Sequence, residues 1–236
     1  MDCDHERILA SFGSRKTTER HRAIADACRD PHADGLLAHT LGMSKDMVYE
    51  KVVIAAHLGD LNGEAGDAAL RRVLGVSGPG SRDLRCAAVL ALAKRCGEQA
   101  TPQLLTALGP RDGAVKDYAI IGLAGAGGDR GWDEAFKRLP ALLRRQRRSA
   151  GQSEVTMALA YLAQQLQNPD RRRRLVAFVR KHWVILVEDE WFANLWPEAR
   201  PDGPAAGAVP APDAASIRAW ARHPLFQPLG LPLTFG

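Results

Sequence analysis

The feature that most constrains this chain is an internal repeat between Ala69 and Arg138. Each of the two copies holds a short apolar segment, a turn, and a longer segment in which small or apolar residues recur at i, i+3, i+4 and i+7. The longer segments align with a constant shift of about thirty positions. The aligned pairs are Arg85 with Lys116, Ala88 with Ala119, Ala91 with Gly122, and Leu92 with Leu123. A lone helical hairpin of this kind cannot bury its apolar face, so we expect copies to stack.

A short apolar helix, an Asp/Pro/Gly turn, a Val/Leu-Arg/Lys-x-x-Ala-x-x-Gly/Ala-Leu run and a glycine stop together resemble the HEAT-like repeat family of armadillo-type proteins. The resemblance is strongest from Leu70 to Gly128 and fades towards both ends. It implies an all-α fold, a right-handed α-solenoid of about five or six helical hairpins. It also implies that the second helices line a concave side, with Arg85, Lys116 and Tyr118 on or near it. In the alternative interpretation, Arg85 and Lys116 pair with acids of a neighbouring repeat.

Capping and turn residues predict the remaining elements. Before the repeat, we expect helices from Cys3 to Phe12, Thr18 to Arg29, Asp30 to Leu41 and Ser44 to Leu58. After the repeat, we expect them from Trp132 to Arg147, Ser153 to Leu166, Asn168 to Val187 and Glu188 to Trp196. Glycine is expected to end the two repeated helices at Gly97 and Gly127, and Pro140 to kink or break its helix.

The composition changes near the end of the chain and suggests three regions. Residues 1–196 form the repeat array, residues 197–213 are rich in Pro, Gly and Ala and are predicted to be a linker, and residues 214–236 hold a short helix and an apolar tail. Proline recurs along the tail, so it should be extended rather than helical. Two interpretations stay open: the tail caps its own last repeat, or it is a detachable peptide that binds a partner.

Positive charge is concentrated in the second half of the chain. Twelve basic residues and two acids lie between Lys137 and Lys181, a formal net charge of +10, whereas the whole chain carries +5. Such a cluster is typical of a polyanion-binding surface. The candidate residues are Arg144, Arg145, Arg147, Arg148, Arg171, Arg172, Arg173, Arg174, Arg180 and Lys181. The alternative is a solvated face, or a set of ion pairs with nearby acids.

The pair Trp132-Asp133 invites a more specific comparison. Some HEAT-like proteins of this length are alkylpurine DNA glycosylases, in which Trp and Asp side chains on the concave face accept a damaged nucleotide. This chain has no Trp-Trp-Asp-x-Val-Asp-like run, so the catalytic role is not carried over to Asp133. We interpret Asp133 instead as an acid near a helix start, where free amides favour negative charge.

Other motifs predict neither chemistry nor a cofactor. The four cysteines form no C-x-x-C pair, and the seven histidines show no H-E-x-x-H, so no metal site is expected. No G-x-S-x-G or phosphate-loop signature occurs, and we name no catalytic residue. The chain opens without a signal peptide and has no membrane-spanning apolar run, so we expect a cytoplasmic protein that does not enter a membrane. Arginine outnumbers lysine, and alanine and glycine are frequent, which suggests a GC-rich bacterial genome.

The sequence therefore favours a non-catalytic binding scaffold that holds a protein partner on the concave face of a HEAT-like solenoid. The alternative is a nucleic-acid-binding protein that uses the arginine clusters, and more remotely a HEAT-like alkylpurine DNA glycosylase. Because repeat folds serve many functions, fold alone does not decide between them. The residues do not predict the oligomeric state.

Overall fold

The computed structural model describes residues 3–43, 47–78, 80–109, 112–146, 153–188 and 190–216, and within these ranges it is all-helical, without a β-strand. The first seven α-helices are α1 Cys3–Phe12, α2 Thr17–Ala27, α3 Ala33–Leu41, α4 Val48–Leu58, α5 Glu64–Leu74, α6 Ser81–Cys96 and α7 Thr101–Ala107. The next six are α8 Gly113–Ala126, α9 Asp129–Gln146, α10 Ser153–Ala163, α11 Pro169–Lys181, α12 Trp183–Leu186 and α13 Glu190–Leu195. Short 3-10 helices lie at Gly97–Ala100, Pro197–Ala199 and Ala206–Ala208.

Several predicted helix ends are confirmed. Asn168 caps α11, since its side chain accepts hydrogen bonds from the amides of Asp170 and Arg171 at 2.8 and 3.4 Å. Gly97 and Gly127 end α6 and α8 with φ of 51° and 83°, a left-handed region that glycine adopts without strain.

Other features differ from the prediction. Helix α3 begins at Ala33, because Asp30 binds the amide of His32 and the ring of His5 instead of opening the helix. The helix predicted from Asn168 to Val187 divides at His182 into α11 and α12. No break occurs at Pro140, where α9 is continuous. That residue is exposed, so water can reach the carbonyl that loses its helical donor.

Each helix packs mainly against its neighbours in the chain or one hairpin away. Helices α5 and α6, α7 and α8, and α9 and α10 pack against each other in pairs. The second helices α4, α6, α8 and α10 pack side by side in that order, and α3 packs against α5 behind them. We call the four side-by-side helices the second-helix row. One continuous apolar core runs between this row and the first helices.

Small residues let the second-helix row pack closely, as the repeat predicts. A Cβ atom at Gly122 of α8 would lie 3.4 Å from both Val89 and Ala93 of α6. At Gly59, just after α4, it would lie 3.0 Å from the Cα atom of Ala91. A larger side chain at either glycine would therefore push two neighbouring helices apart.

The stretch from residue 197 to 212, which composition predicts to be a linker, lies against α10 and α11. The indole of Trp196 donates to the carbonyl of Pro210 at 2.8 Å, and Val209 is fully buried. Gln164, just after α10, donates to the carbonyl of Pro212 at 2.9 Å. The division of the chain into domains stays a prediction. Residues 214–216 are helical, whereas the rest of the predicted helix and the apolar tail lie outside the described residues.

Candidate functional site

The three residues predicted to line the concave side belong to the second-helix row. Arg85 of α6 donates to Asp112, the N-cap residue of α8, at 3.0 Å. This ion pair agrees with the alternative interpretation of Arg85, in which the residue pairs with an acid of a neighbouring repeat. Lys116 is half-buried near the start of α8.

Tyr118 belongs to α8, which packs between α6 and α10. Burial raises the pKa of its phenol, and the negative charges of Cys86 as a thiolate, Glu154 and Asp83 raise it further. A phenol whose ionisation is opposed in this way stays neutral at ordinary pH. Tyr118 therefore offers an apolar ring and a neutral hydroxyl rather than a base.

Two arginines of α11 are engaged with α9. Arg171 binds Asp129 at 2.5 Å and Arg174 binds Asp133 at 3.0 Å. Their guanidinium carbons lie 5.0 and 5.2 Å from the ring centroid of Trp132. This arrangement combines ion pairs with cation–π contacts and ties two helices together.

Trp132 itself is fully buried, and its indole donates to the carbonyl of Leu162 in α10 at 3.1 Å. The ring thus packs inside the protein and is not accessible to a nucleotide. Asp133 lies in the first turns of α9 and binds Arg174. Trp132 and Asp133 are therefore both engaged in contacts between helices.

Two further arginines of α11 bind main-chain carbonyls. Arg172 donates to the carbonyls of Gly207 at 3.1 Å and Leu166 at 2.9 Å, and Arg180 donates to the carbonyl of Pro204. Both residues fasten the 197–212 stretch to α11. Their charge is not balanced by a carboxylate in these contacts, and the buried Nε atom of each has no hydrogen-bond partner.

Three predicted basic residues face solvent. Arg144 and Lys181 are exposed, and Arg173 pairs only loosely with Asp170, at 3.7 Å. Arg145 is instead bound to Asp117, whose pKa is raised because burial outweighs the effect of the arginine. Arg147 and Arg148 lie outside the described residues.

The sequence analysis missed an open cleft at the other end of the second-helix row, between α2 and α4. Its volume is about 390 Å³. It is lined by His21, Ile24, Ala25, Cys28, Arg29, Tyr49, Val53 and His57. Only helical spacing could have indicated it, since Tyr49, Val53 and His57 lie at i, i+4 and i+8, on one side of α4.

The α2–α4 cleft joins an apolar floor to a few polar groups. Tyr49 at its edge is 57% exposed, and its ring centroid lies 5.8 Å from that of His21. Burial raises the pKa of the Cys28 thiol and lowers the pKa of His57, so both groups are neutral at pH 7. An exposed tyrosine over apolar side chains is typical of residues that anchor protein partners.

Among the described residues, no group of three His, Cys, Asp or Glu side chains could hold a metal ion. Within the same ranges, no helix is long and apolar enough to cross a membrane. Among the groups with raised pKa, Cys86 and Tyr161 are buried and Tyr118 is partly buried, and all three belong to helices of the second-helix row.

Comparison with known proteins adds no relative: no protein-family model, no curated protein and no solved structure matches this chain.

Proposed function

We propose that this protein is a non-catalytic binding scaffold, built as a right-handed α-solenoid of HEAT-like hairpins, that holds a protein partner against its second-helix row. The side-by-side packing of α4, α6, α8 and α10 supports the stacked arrangement. Such an array offers a broad surface made of many helices, which suits a protein partner better than a small molecule. The cytoplasmic location stays a prediction.

Ion pairs between hairpins also support stacking. Arg20 pairs with Glu50, Arg85 with Asp112, and Arg145 with Asp117, over separations of 30, 27 and 28 residues. These separations are close to the shift of the sequence repeat. Similar links at similar spacing are expected where each hairpin contacts mainly the next one.

The observation that carries the proposal is the α2–α4 cleft. It is the part of the second-helix row where apolar side chains, an exposed tyrosine and two histidine rings are open to solvent together. Tyrosine buries a large area at low entropic cost and donates one directed hydrogen bond. We therefore place the partner's main contact at Tyr49.

The test is affinity capture with purified, immobilised protein from extracts of the source organism. Wild type and Val184→Ser, which changes an exposed apolar residue outside the cleft, are expected to retain the same partner. Tyr49→Ser should lose it at least tenfold, which corresponds to about 1.4 kcal/mol. Retention that is equal for all three proteins would contradict the proposal.

Salt dependence separates this proposal from nucleic-acid binding, which stays a prediction. Arg171 and Arg174 bind acids of α9, and Arg172 binds the carbonyl of Gly207, so changing them would alter contacts within the fold as well as any binding. A variant with Arg144, Arg173 and Lys181 all changed to Ala tests exposed charges only. Binding to labelled DNA or RNA that weakens steeply with salt and is lost in this variant would favour the nucleic-acid hypothesis.

A further inference from the structure

The α2–α4 cleft exists because the stack of second helices opens at one end. Helix α6 packs closely against both α4 and α8, with small residues where the helices meet, whereas α2 touches α4 only lightly. Large side chains stand at this opening instead, since the rings of His21 and Tyr49 have centroids 5.8 Å apart. The cleft between the two helices holds about 390 Å³, which is room for side chains of a partner.

The cleft runs along both helices in the same direction. At one end His21 of α2 lies beside Tyr49 of α4. From that end the lining continues to Arg29 and to His57, each eight residues further along its own helix. At 1.5 Å per residue, the cleft is about 12 Å long. This length matches about two turns of a third helix laid between α2 and α4.

The lining favours a helix over an extended chain. It consists of side chains from two helices and offers no free row of main-chain donors and acceptors, so an extended segment would find no partners there for its own main chain. A helix satisfies these groups internally. Its side chains at i, i+4 and i+7 lie on one side and span about 10.5 Å. Ile24, Ala25 and Val53 provide an apolar floor for such side chains.

Positive charge borders the cleft on the α2 side. Arg22 and Arg29 are exposed and lie seven residues apart, so they share one edge of α2 and its C-terminal turn. Arg29 also belongs to the lining, and its only printed ion pair is a loose, exposed one with Asp26, at 3.4 Å. Glu19, one turn before Arg22, is bound by Lys16 at 3.0 Å. Both arginines can therefore reach an acid of a partner.

The acids near the cleft are already bound. Glu50 is 3% exposed and accepts a hydrogen bond from Arg20 at 2.6 Å. Asp60, just after α4, binds Lys94. The eight lining residues, all of them described, include no carboxylate. Because the cleft lacks free negative charge and has cations along one edge, it attracts a partner with acids on the matching side.

We propose that the α2–α4 cleft binds an acidic amphipathic helix of another protein. Apolar side chains of that helix fill the cleft beside Tyr49 and Val53, and its acids face Arg22 and Arg29. The identity of the segment rests on the proposed function, because it describes what the partner contributes to that same cleft.

Phage display on the full-length protein identifies the class of segment that binds. A library of random peptides of about 14 residues, or four helical turns, is selected on immobilised wild type and counter-screened on Tyr49→Ser. We expect the peptides that need Tyr49 to carry apolar residues at i, i+4 and i+7 and a net negative charge. Selection of basic or proline-rich peptides, of peptides that bind both proteins equally, or of none would overturn the proposal.

A charge exchange tests the pairing with α2. In fluorescence anisotropy, replacing the acids of a selected peptide by lysine should weaken its binding to wild type at least tenfold, a loss of opposite-charge contacts. The variant with Arg22→Glu and Arg29→Glu should prefer the lysine peptide. Arg15→Glu, an exposed position before α2 and outside the lining, should behave like wild type. If the double variant kept the preference of wild type, the proposed pairing would be wrong.

A proline substitution tests the helical form of the bound peptide. Proline at i+2, on the side opposite the apolar anchors, should weaken binding about 50-fold or more, since it breaks a helix, whereas alanine there should have little effect. Equal binding of the two peptides would mean an extended segment and would overturn the proposal. Failure in these peptide measurements leaves the proposed function standing as long as affinity capture of the natural partner depends on Tyr49. Retention of that partner by Tyr49→Ser would contradict the proposed function itself.

Discussion

Helices α4 and α10 occupy the same layer of the fold but present opposite surfaces. Outward-facing Tyr49 of α4 is 57% exposed, and Val53 and His57 below it are only half-buried. In α10 every residue from Val155 to Ala163 is buried. The two helices have similar small and apolar compositions. The surroundings of each helix, rather than its own composition, therefore decide how much of it is exposed to solvent.

The same contrast appears in the ionisable groups. Cys28 borders the open α2–α4 cleft, whereas Cys86 is buried in α6. Burial raises the pKa of the Cys86 thiol to about 12, and the acids Asp112 and Asp83 contribute to this shift. Matched residues at the two ends therefore provide internal controls for the proposals.

The largest effect on stability is expected at Arg95 of α6, whose side chain is almost fully buried. Its guanidinium donates to Asp34 at 2.8 Å, to the carbonyl of Leu58 at 2.7 Å, and to Asp67. Arg95→Met would leave two carboxylates without their partner, so we expect a loss of about 3–5 kcal/mol in the free energy of unfolding in urea. Arg29→Met, which breaks an exposed pair with Asp26, should cost less than about 0.5 kcal/mol. Equal losses would contradict this assignment.

The second-largest effect expected is a difference in stability between variants of two tyrosines, Tyr161 and Tyr49. Tyr161→Ala should destabilise the protein by about 3 kcal/mol, because it removes a buried ring from α10. Tyr49→Ala should change stability by less than about 0.5 kcal/mol, since that ring is largely in water. Urea unfolding of both variants measures the difference. If the two costs were similar, the difference in burial between the two rings would be wrong.

Thiol labelling tests the same distinction without changing the folded core. At pH 8 only about one Cys86 in ten thousand is a thiolate, given a pKa of about 12. Cys28 is half-buried at the edge of an open cleft. We expect iodoacetamide to modify Cys28 at least 100-fold faster than Cys86, as measured by peptide mass spectrometry. Labelling in urea should abolish the difference. A partner bound in the cleft should protect Cys28 alone.

The sequence predicted the all-helical class and several helix ends, because those signals are local. Gly97 and Gly127 end helices because the chain needs φ > 0 there, and Asn168 caps α11 through its own side chain. The small residues of the repeat, such as Gly122, lie where two helices approach closely. Such signals depend on a residue and its near neighbours, so they are readable before the structure is known.

The surfaces could not be predicted in this way, because they depend on distant residues. The four consecutive arginines of α11 look like one patch, yet Arg171 and Arg174 bind acids of α9 that are 42 and 41 positions away. The α2–α4 cleft exists only because faces from two separate helices meet. Charge density in a sequence records where cations are, and not whether neighbouring acids and carbonyls already bind them.

The smallest effect expected is a pH dependence that originates in the cleft. The pKa of His57 lies below its ordinary value of 6.5, first because of burial and then because of Lys94, and Asp60 opposes this only in part. The unfolded chain therefore binds a proton more readily than the folded one, so His57 should lower stability as pH falls below about 6.5. Urea unfolding at pH 7.5 and 5.5 should show a smaller loss for His57→Gln than for wild type. His39→Gln, an exposed histidine outside the cleft, should behave like wild type. If the His57 variant lost as much stability as wild type, His57 would be as accessible to protons in the fold as in the unfolded chain, and the cleft would be more open than its geometry indicates.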